Sequence, residues 1–127
     1  MDWIQQAVRE FGDTLDIENL QFDASEGVEL VLDSAEVVGI ACSPELASQE
    51  MLVYVSAPLN FDPLPQMELA LRLSNARHGI PPYLQTAIVD KQLVLALRLD
   101  AREFNLPALD EAVWRLVEMQ HEAAAAT

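Results

Sequence analysis

Residues 65–79 read PQMELALRLSNARHG. Pro65 suits the first turn of a helix and Gly79 its end, so the stretch reads as a helix running to about His78. It carries more apolar positions than one face can hold. Leu69, Leu73 and Ala76 follow one side at i, i+4, i+7. Met67 and Leu71, with Ser74 and His78, follow another side at similar spacing. A surface helix on a small domain ordinarily needs one apolar stripe. One stripe covers a sheet; the second either lies between layers of the same chain or meets another subunit.

The rest of the chain is read outward from that helix. Residues 58–65 (PLNFDPLP) form a proline-rich connector, and before it Met51–Ala57 (MLVYVSA) alternates as a strand, with Val53 and Val55 on one face and Leu52 and Tyr54 on the other. SPELASQE, residues 43–50, is a loop. Val37–Cys42 (VVGIAC) is a strand apolar on both faces, and DSAE turns the chain back from another, Val28–Leu32 (VELVL). Residues 16–26 (DIENLQFDASE) read as a loop with a short extended piece around Leu20 and Phe22. The first helix runs from about Asp2 to Thr14, with Trp3, Ile4, Ala7, Val8 and Phe11 as its stripe, Asp2 as a cap and Gly12 near its stop.

Downstream, Pro81-Pro82 forces an extended exit from the helix. Tyr83–Val89 (YLQTAIV) and Gln92–Leu99 (QLVLALRL) are strands joined by a tight Asp90-Lys91 turn that lacks the usual glycine. Asn105 caps a last helix with Pro107 in its first turn and Leu109, Ala112, Val113, Leu116 and Val117 as its stripe. That helix fades into an alanine-rich tail, about 122–127, expected to fray. The order α-β-β-β-α-β-β-α predicts an α+β fold: a single domain over 1–127, a twisted antiparallel sheet with flanking helices. No repeat of fixed period and no linker divides it.

Charge narrows the function. The 127 residues hold 21 acids and 7 bases, net −14, and residues 1–50 alone hold twelve acids and one base, Arg9. Phosphate binding to DNA or RNA needs lysine and arginine to displace counterions, so nucleic acid is disfavoured as a partner. Anionic membrane surfaces are disfavoured for the same reason, and the apolar runs fall short of a membrane span. MDWIQQAVREFG is amphipathic and lacks the unbroken apolar run of a signal peptide. With one cysteine, Cys42, an internal disulfide is excluded and a reducing, cytoplasmic compartment is expected. The acidity serves solubility, or attraction to a basic partner chain.

Catalytic constellations do not stand above background. Four unclustered glycines make no phosphate loop, and the lone lysine, Lys91, lies in a turn. Glu118 and His121 give one Glu-x-x-His step where a carboxylate-bridged di-iron bundle needs two, so no metal is expected. His78, near a helix terminus, suits free carbonyls better than general-base work. Cys42 reads as a small packed residue, and Ser43, Ser48 and Ser74 have no flanking nucleophile elbow. Acid pairs such as Asp13 with Asp16 occur by chance in so acidic a chain. Trp3 and Trp114 read as core or interface aromatics rather than ligand platforms. The chain is expected to be no enzyme and to need no cofactor.

An exposed second stripe would be an apolar patch that a soluble monomer seldom keeps, and twofold homodimers are the commonest repair. Met67, Leu69, Leu71, Leu73 and Ala76 are therefore the candidate dimer interface, with the choice of stripe left open. The sheet poses the same problem. VVGIAC, with Val31, Val53 and Val55, places apolar side chains on both faces; helices 1 and 3 cover one, and the other, or a free edge, suits an extended peptide.

The opening helix ending FGDTL, the strands GVELVLD and VVGIAC, the helix LALRLSNA with its leucines followed by Asn75, and VDKQLVLALRL before a leucine-bearing last helix together resemble the class I type III secretion chaperones, the Tir-chaperone family, over about residues 3–120. That resemblance implies a bacterial cytoplasmic homodimer joined by helix 2. It implies binding of the N-terminal segment of a secreted effector, held extended, kept soluble and presented to the secretion ATPase complex. It places effector contact on helix 1 and the sheet, here Ile4, Val8, Phe11, Val31, Val38, Ile40, Val53 and Val55, each of which could equally be an ordinary core residue. The competing reading is a regulatory or scaffolding module of the same fold that binds a folded partner and has no part in secretion.

Overall fold

The structure, a computed structural model, describes residues 2–23, 27–42, 50–76 and 84–127. Its elements are α1 (Asp2–Thr14), β1 (Val28–Val31), β2 (Val37–Cys42), β3 (Glu50–Pro58), α2 (Leu64–Ala76), β4 (Leu84–Val89), β5 (Gln92–Asp100) and α3 (Leu106–Ala124). The expected order holds, and each expected strand lies within a residue or so of the observed one. Expectations at Ser43, Ser48, His78, Gly79, Pro81, Pro82 and Tyr83 fall outside the described residues.

The five strands form one sheet in the order β1-β2-β3-β5-β4, and every neighbouring pair is antiparallel. Alternation along β3 sorts the sheet into two faces: Met51, Val53 and Val55 are fully buried, while Leu52, Tyr54 and Ser56 point the other way and are only partly covered. The register carries the buried set across the sheet, Val38 beside Val55 and Val55 beside Leu95. Ile4, Val8 and Phe11 of α1 and Leu109, Val113 and Leu116 of α3 close over that face and complete one apolar core.

Helix α3 is set by local chemistry at both ends. Asn105 has extended backbone and its side chain accepts from the Ala108 N–H at 2.9 Å, as the sequence predicts, with proline in the first turn. At the other end the helix continues to Ala124. Residues 122–124, expected in a fraying tail, are helical; Ala123 is fully buried and the Ala124 carbonyl accepts from Asn60 Nδ2 at 2.8 Å. The buried Gln120 donates from Nε2 to the carbonyls of Val55 and Leu93 at 2.8 and 2.7 Å, tying α3 to β3 and β5. Segment 16–23 is held by Gln5, whose amide accepts from the Phe22 N–H at 3.0 Å and donates to the Phe22 carbonyl, with the Phe22 ring in the core.

The β4–β5 turn is a two-residue hairpin with Asp90 at φ 49° and Lys91 at φ 64°. Both central residues take the left-handed conformation that this turn type requires, and neither is glycine.

Candidate functional site

All three helices lie on one side of the sheet. Helix α3 packs on β3 and β5, and α1 packs against α3 and shares one core with Leu30 of β1 and Val38 and Ile40 of β2. Helix α2 packs along α3 and against β4, where the hydroxyls of Ser74 and Thr86 are hydrogen bonded; Thr86 pairs with the buried Leu95, so it belongs to the covered face. The opposite face has no cover within the chain among the described residues. A groove of about 380 Å³ runs over it, with Leu52, Tyr54, Ser56, Val94 and Ala96 in its floor and Glu29 and Asp90 in its lining.

The register explains its shape. Glu29, Gly39, Tyr54, Ala96 and Gln85 stand in one row across β1, β2, β3, β5 and β4. Tyr54 lies over Gly39, where a Cβ would come within 1.9 Å of Tyr54 Cζ, so only glycine admits the ring. On its other side stands Ala96, whose small side chain leaves the depression. The Tyr54 hydroxyl donates to Glu29 at 2.5 Å. Burial pushes the phenol's pKa up, the bond to Glu29 and that carboxylate's charge add to it, and the result is about 12. Tyr54 is therefore a neutral donor held in place, and the face presents apolar carbon with carboxylates at its margins.

Seven of the eight residues that the sequence reading offers for effector contact are elsewhere. Ile4, Val8, Phe11, Val38, Ile40, Val53 and Val55 are each at most 1% exposed and belong to the core under the helices. Contact with a partner there would need α1 or α3 to lift off. Val31, 65% exposed, is the one at the surface. The groove is lined instead by their neighbours along the strands, which the sequence reading did not single out for contact: Leu52 and Tyr54 beside Val53, Val94 and Ala96 beside Leu95. The period of two separates the faces: on β2 the uncovered side carries the small Gly39 and Ala41 and the covered side Val38 and Ile40, but the pattern alone does not say which side the helices take.

Helix α2 also turns differently from either leucine stripe. Its buried line is Gln66, Ala70 and, partly, Leu73 and Ser74. Gln66 is fully buried because its amide accepts from the Asn60 N–H at 2.7 Å and reaches the Pro58 carbonyl at 3.4 Å, fastening the incoming connector. Of the candidate interface residues, Met67, Leu69 and Leu73 are half-buried and Leu71 is 54% exposed; the Ala76 side chain lies outside the described residues. Leu64 and Phe61 add to the exposed apolar surface beside them, and Ile88 of β4 is also exposed.

The remaining chemical candidates have structural partners. His121 meets not Glu118 but Glu36, a buried carboxylate at the β1–β2 turn that also accepts from the Ser34 hydroxyl. Burial alone would raise the Glu36 pKa; hydrogen bonds from Ser34, its own backbone and His121 outweigh that, and the carboxyl sits below its ordinary value. Burial raises the Cys42 thiol, which packs with its sulfur 3.4 Å from that of Met51. The indole of Trp3 donates to the Ala101 carbonyl at 2.8 Å and that of Trp114 to Asp110 at 2.9 Å. Among the described residues no group of three or more His, Cys, Asp or Glu could hold a metal, and no helix is long and apolar enough to cross a membrane.

The family model of the type III secretory system chaperone SycN matches residues 3–124. Among solved structures, a chain of the HopA1-SchA chaperone-effector complex superposes with a TM-score of 0.73 at 17% identity, covering 98% of this chain and 94% of that one. A chain of the Yersinia pestis type III secretion chaperone SycH in complex with a stable fragment of YscM2 gives 0.69 at 18% identity, covering 98% and 99%. A chain of the heterodimeric ExoU-SpcU complex from the type III secretion system of Pseudomonas aeruginosa gives 0.64 at 17%, covering 95% and 94%. At these identities the structural likeness concerns the fold. No curated protein sequence matches the chain.

Proposed function

The chain belongs to the type III secretory system chaperone SycN family, and we propose that it holds the N-terminal segment of a secreted effector extended against the uncovered face of its sheet. Held so, the segment stays soluble and competent for secretion. The observation that supports this reading most is the one-sidedness of the sheet. Three helices close one face, and the other offers a shallow, largely apolar groove with Ser56 and Ala96 among the larger side chains of its floor. An extended segment presents every second side chain to one side, which suits such a floor. β1 and β4 are the outer strands of the sheet, and among the described residues no further strand pairs with them, so their edges can satisfy the segment's own N–H and C=O groups. Burial of its apolar anchors offsets the conformational entropy that a disordered segment loses on binding.

In this reading two copies act together. The exposed carbon of Phe61, Leu64 and Leu71, beside half-buried Met67, is the kind of patch that a second subunit covers. The proposed homodimer works in the bacterial cytoplasm, has no catalytic step, and passes its cargo to the secretion ATPase complex.

The test is co-expression of the full chain, wild type or Ala96→Trp, with the secreted proteins of the same cell. Wild type should keep one of them soluble through a protease-sensitive N-terminal segment. Ala96→Trp, which fills the groove, should fold and dimerise as before yet lose that protection. Capture of a folded domain, unaffected by Ala96→Trp and without any extended segment, would overturn the reading in favour of a regulatory module.

A further inference from the structure

A second concavity, of about 390 Å³, opens at the end of β1, an outer strand of the sheet. Three stretches distant in sequence build it: Leu15, Asp16 and Ile17 after α1, Val31 and Asp33 at the end of β1, and Trp114 of α3. The loop after α1 is pinned, with the N–H groups of Leu15 and Ile17 both donating to the Gly12 carbonyl at 2.9 Å and Asp16 held at φ 61°. The Trp114 indole spends its one polar hydrogen on Asp110, and the residue is 41% exposed, so the ring's contribution to the notch is apolar. Val31 beside it is 65% exposed. None of the lining residues is cationic, and the first fifty residues of the chain carry one base against twelve acids.

An open indole, two carboxylates and aliphatic carbon in one notch match a particular side chain. A guanidinium stacks on an aromatic face, pairs with carboxylates through its fixed fork of donors, and brings an alkyl stem that rests on apolar carbon. We propose that this notch receives an arginine of the bound segment, stacked on Trp114 and paired with Asp16 and Asp33. The proposal rests on the segment-holding reading above and adds a chemical requirement to it: the cargo carries a basic residue where it passes the β1 edge.

The test uses the full chain and two short synthetic peptides, one alternating valine with arginine, the other with neutral citrulline in place of arginine. The indole N–H resonances of Trp114 and Trp3 are followed during titration. The arginine peptide should move the Trp114 signal and leave that of Trp3 in place. It should bind at least about tenfold more tightly than the citrulline peptide, with the margin shrinking as salt is added. The double variant Asp16→Asn, Asp33→Asn should lose that margin; asparagine tolerates the left-handed backbone at position 16, so the loop is kept. Equal affinity for the two peptides, a stationary Trp114 signal, or full discrimination in the double variant would each overturn the notch. A change of solution mass in the double variant would instead identify a second copy as its occupant and overturn it too. Binding that ignores arginine and vanishes in Ala96→Trp would sink the notch and leave the segment-holding reading standing; absence of binding by either peptide would count against both.

Discussion

The Tyr54 ring occupies the space that a side chain on Gly39 would need, since a Cβ there would lie 1.9 Å from Tyr54 Cζ. The two residues face each other across β2 and β3, and the Tyr54 hydroxyl reaches on to Glu29 of β1. One side chain thus spans three strands on the face that carries the groove. In Gly39→Ala the ring must leave this position. The expected cost is about 1–3 kcal/mol, read by urea unfolding.

The same variant should release the phenol. In the wild type, absorbance titration of the two tyrosines should show one ionising near pH 12. Because the folded value lies above the unfolded one, the associated stability is whole below about pH 10 and is lost as pH rises towards 12. Gly39→Ala should bring the phenol back towards 10. An unchanged titration would mean that Glu29 and the local burial act on Tyr54 without the glycine.

Glu36 works with the opposite sign. Its folded pKa lies below the ordinary 4.5, so its contribution is present above that value and disappears as pH falls through the folded one. Glu36→Gln keeps the shape and removes the charge. It should cost about 1–2 kcal/mol at neutral pH, by analogy with other hydrogen bonds to charged groups. It should also flatten the acid limb of the stability profile. Chemical denaturation at neutral and acid pH measures both.

Leu71→Glu should change association and not folding, because Leu71 is 54% exposed within one chain. Light scattering should give about 28 kDa for the wild type, twice the 14.1 kDa of one chain. The variant should shift to the single-chain mass with its helical content unchanged. A wild type that is already monomeric, or a variant that stays dimeric at micromolar concentration, would remove α2 from the proposed interface. Leu73→Glu is the less clean test, since Leu73 is half-buried and its loss confounds folding with assembly.

Lys91 stands at φ 64°, a conformation that costs a side-chain-bearing residue about 1–2 kcal/mol and a glycine almost none. Glycine's greater freedom in the unfolded chain returns part of that gain. Lys91→Gly should stabilise by roughly 0.5 kcal/mol, a rise of about 2 °C in Tm. A fall in Tm would show that the lysine side chain contributes more than its backbone costs.

Much of this architecture is legible in the sequence because local chemistry dictates it. The Asn105 cap, the prolines around α2 and the apolar alternation of β2, β3 and β5 act over a few residues. What was not legible depends on distant partners. Gln66 looks like a surface residue until the Asn60 N–H and the Pro58 carbonyl are placed around it, and without it the leucines seem to define the buried side of α2. Similarly, period two says that Val53 and Tyr54 face opposite ways, but only the helix positions say which way is covered. The expected contact residues Val38, Ile40, Val53 and Val55 lie on the helix-covered side of the sheet, and the groove on the other side is lined by the residues that alternate with them. The tail depends on distant partners too: alanine after alanine looks featureless, yet Ala123 meets the core.

Because the helices gather on one face, neighbouring codons along β3 answer to different demands. Met51, Val53 and Val55 are constrained by the helices above them in the same molecule; Leu52, Tyr54 and Ser56 face away from those helices, with Tyr54 held by Gly39 and Glu29. Under the proposed function, a lineage can rewrite Leu52 or Ser56 to follow a changing cargo while the interior stays as it was. Such a scaffold can diverge far in sequence and still fold alike; this chain, 17–18% identical to two solved chains, superposes on them along nearly its whole length.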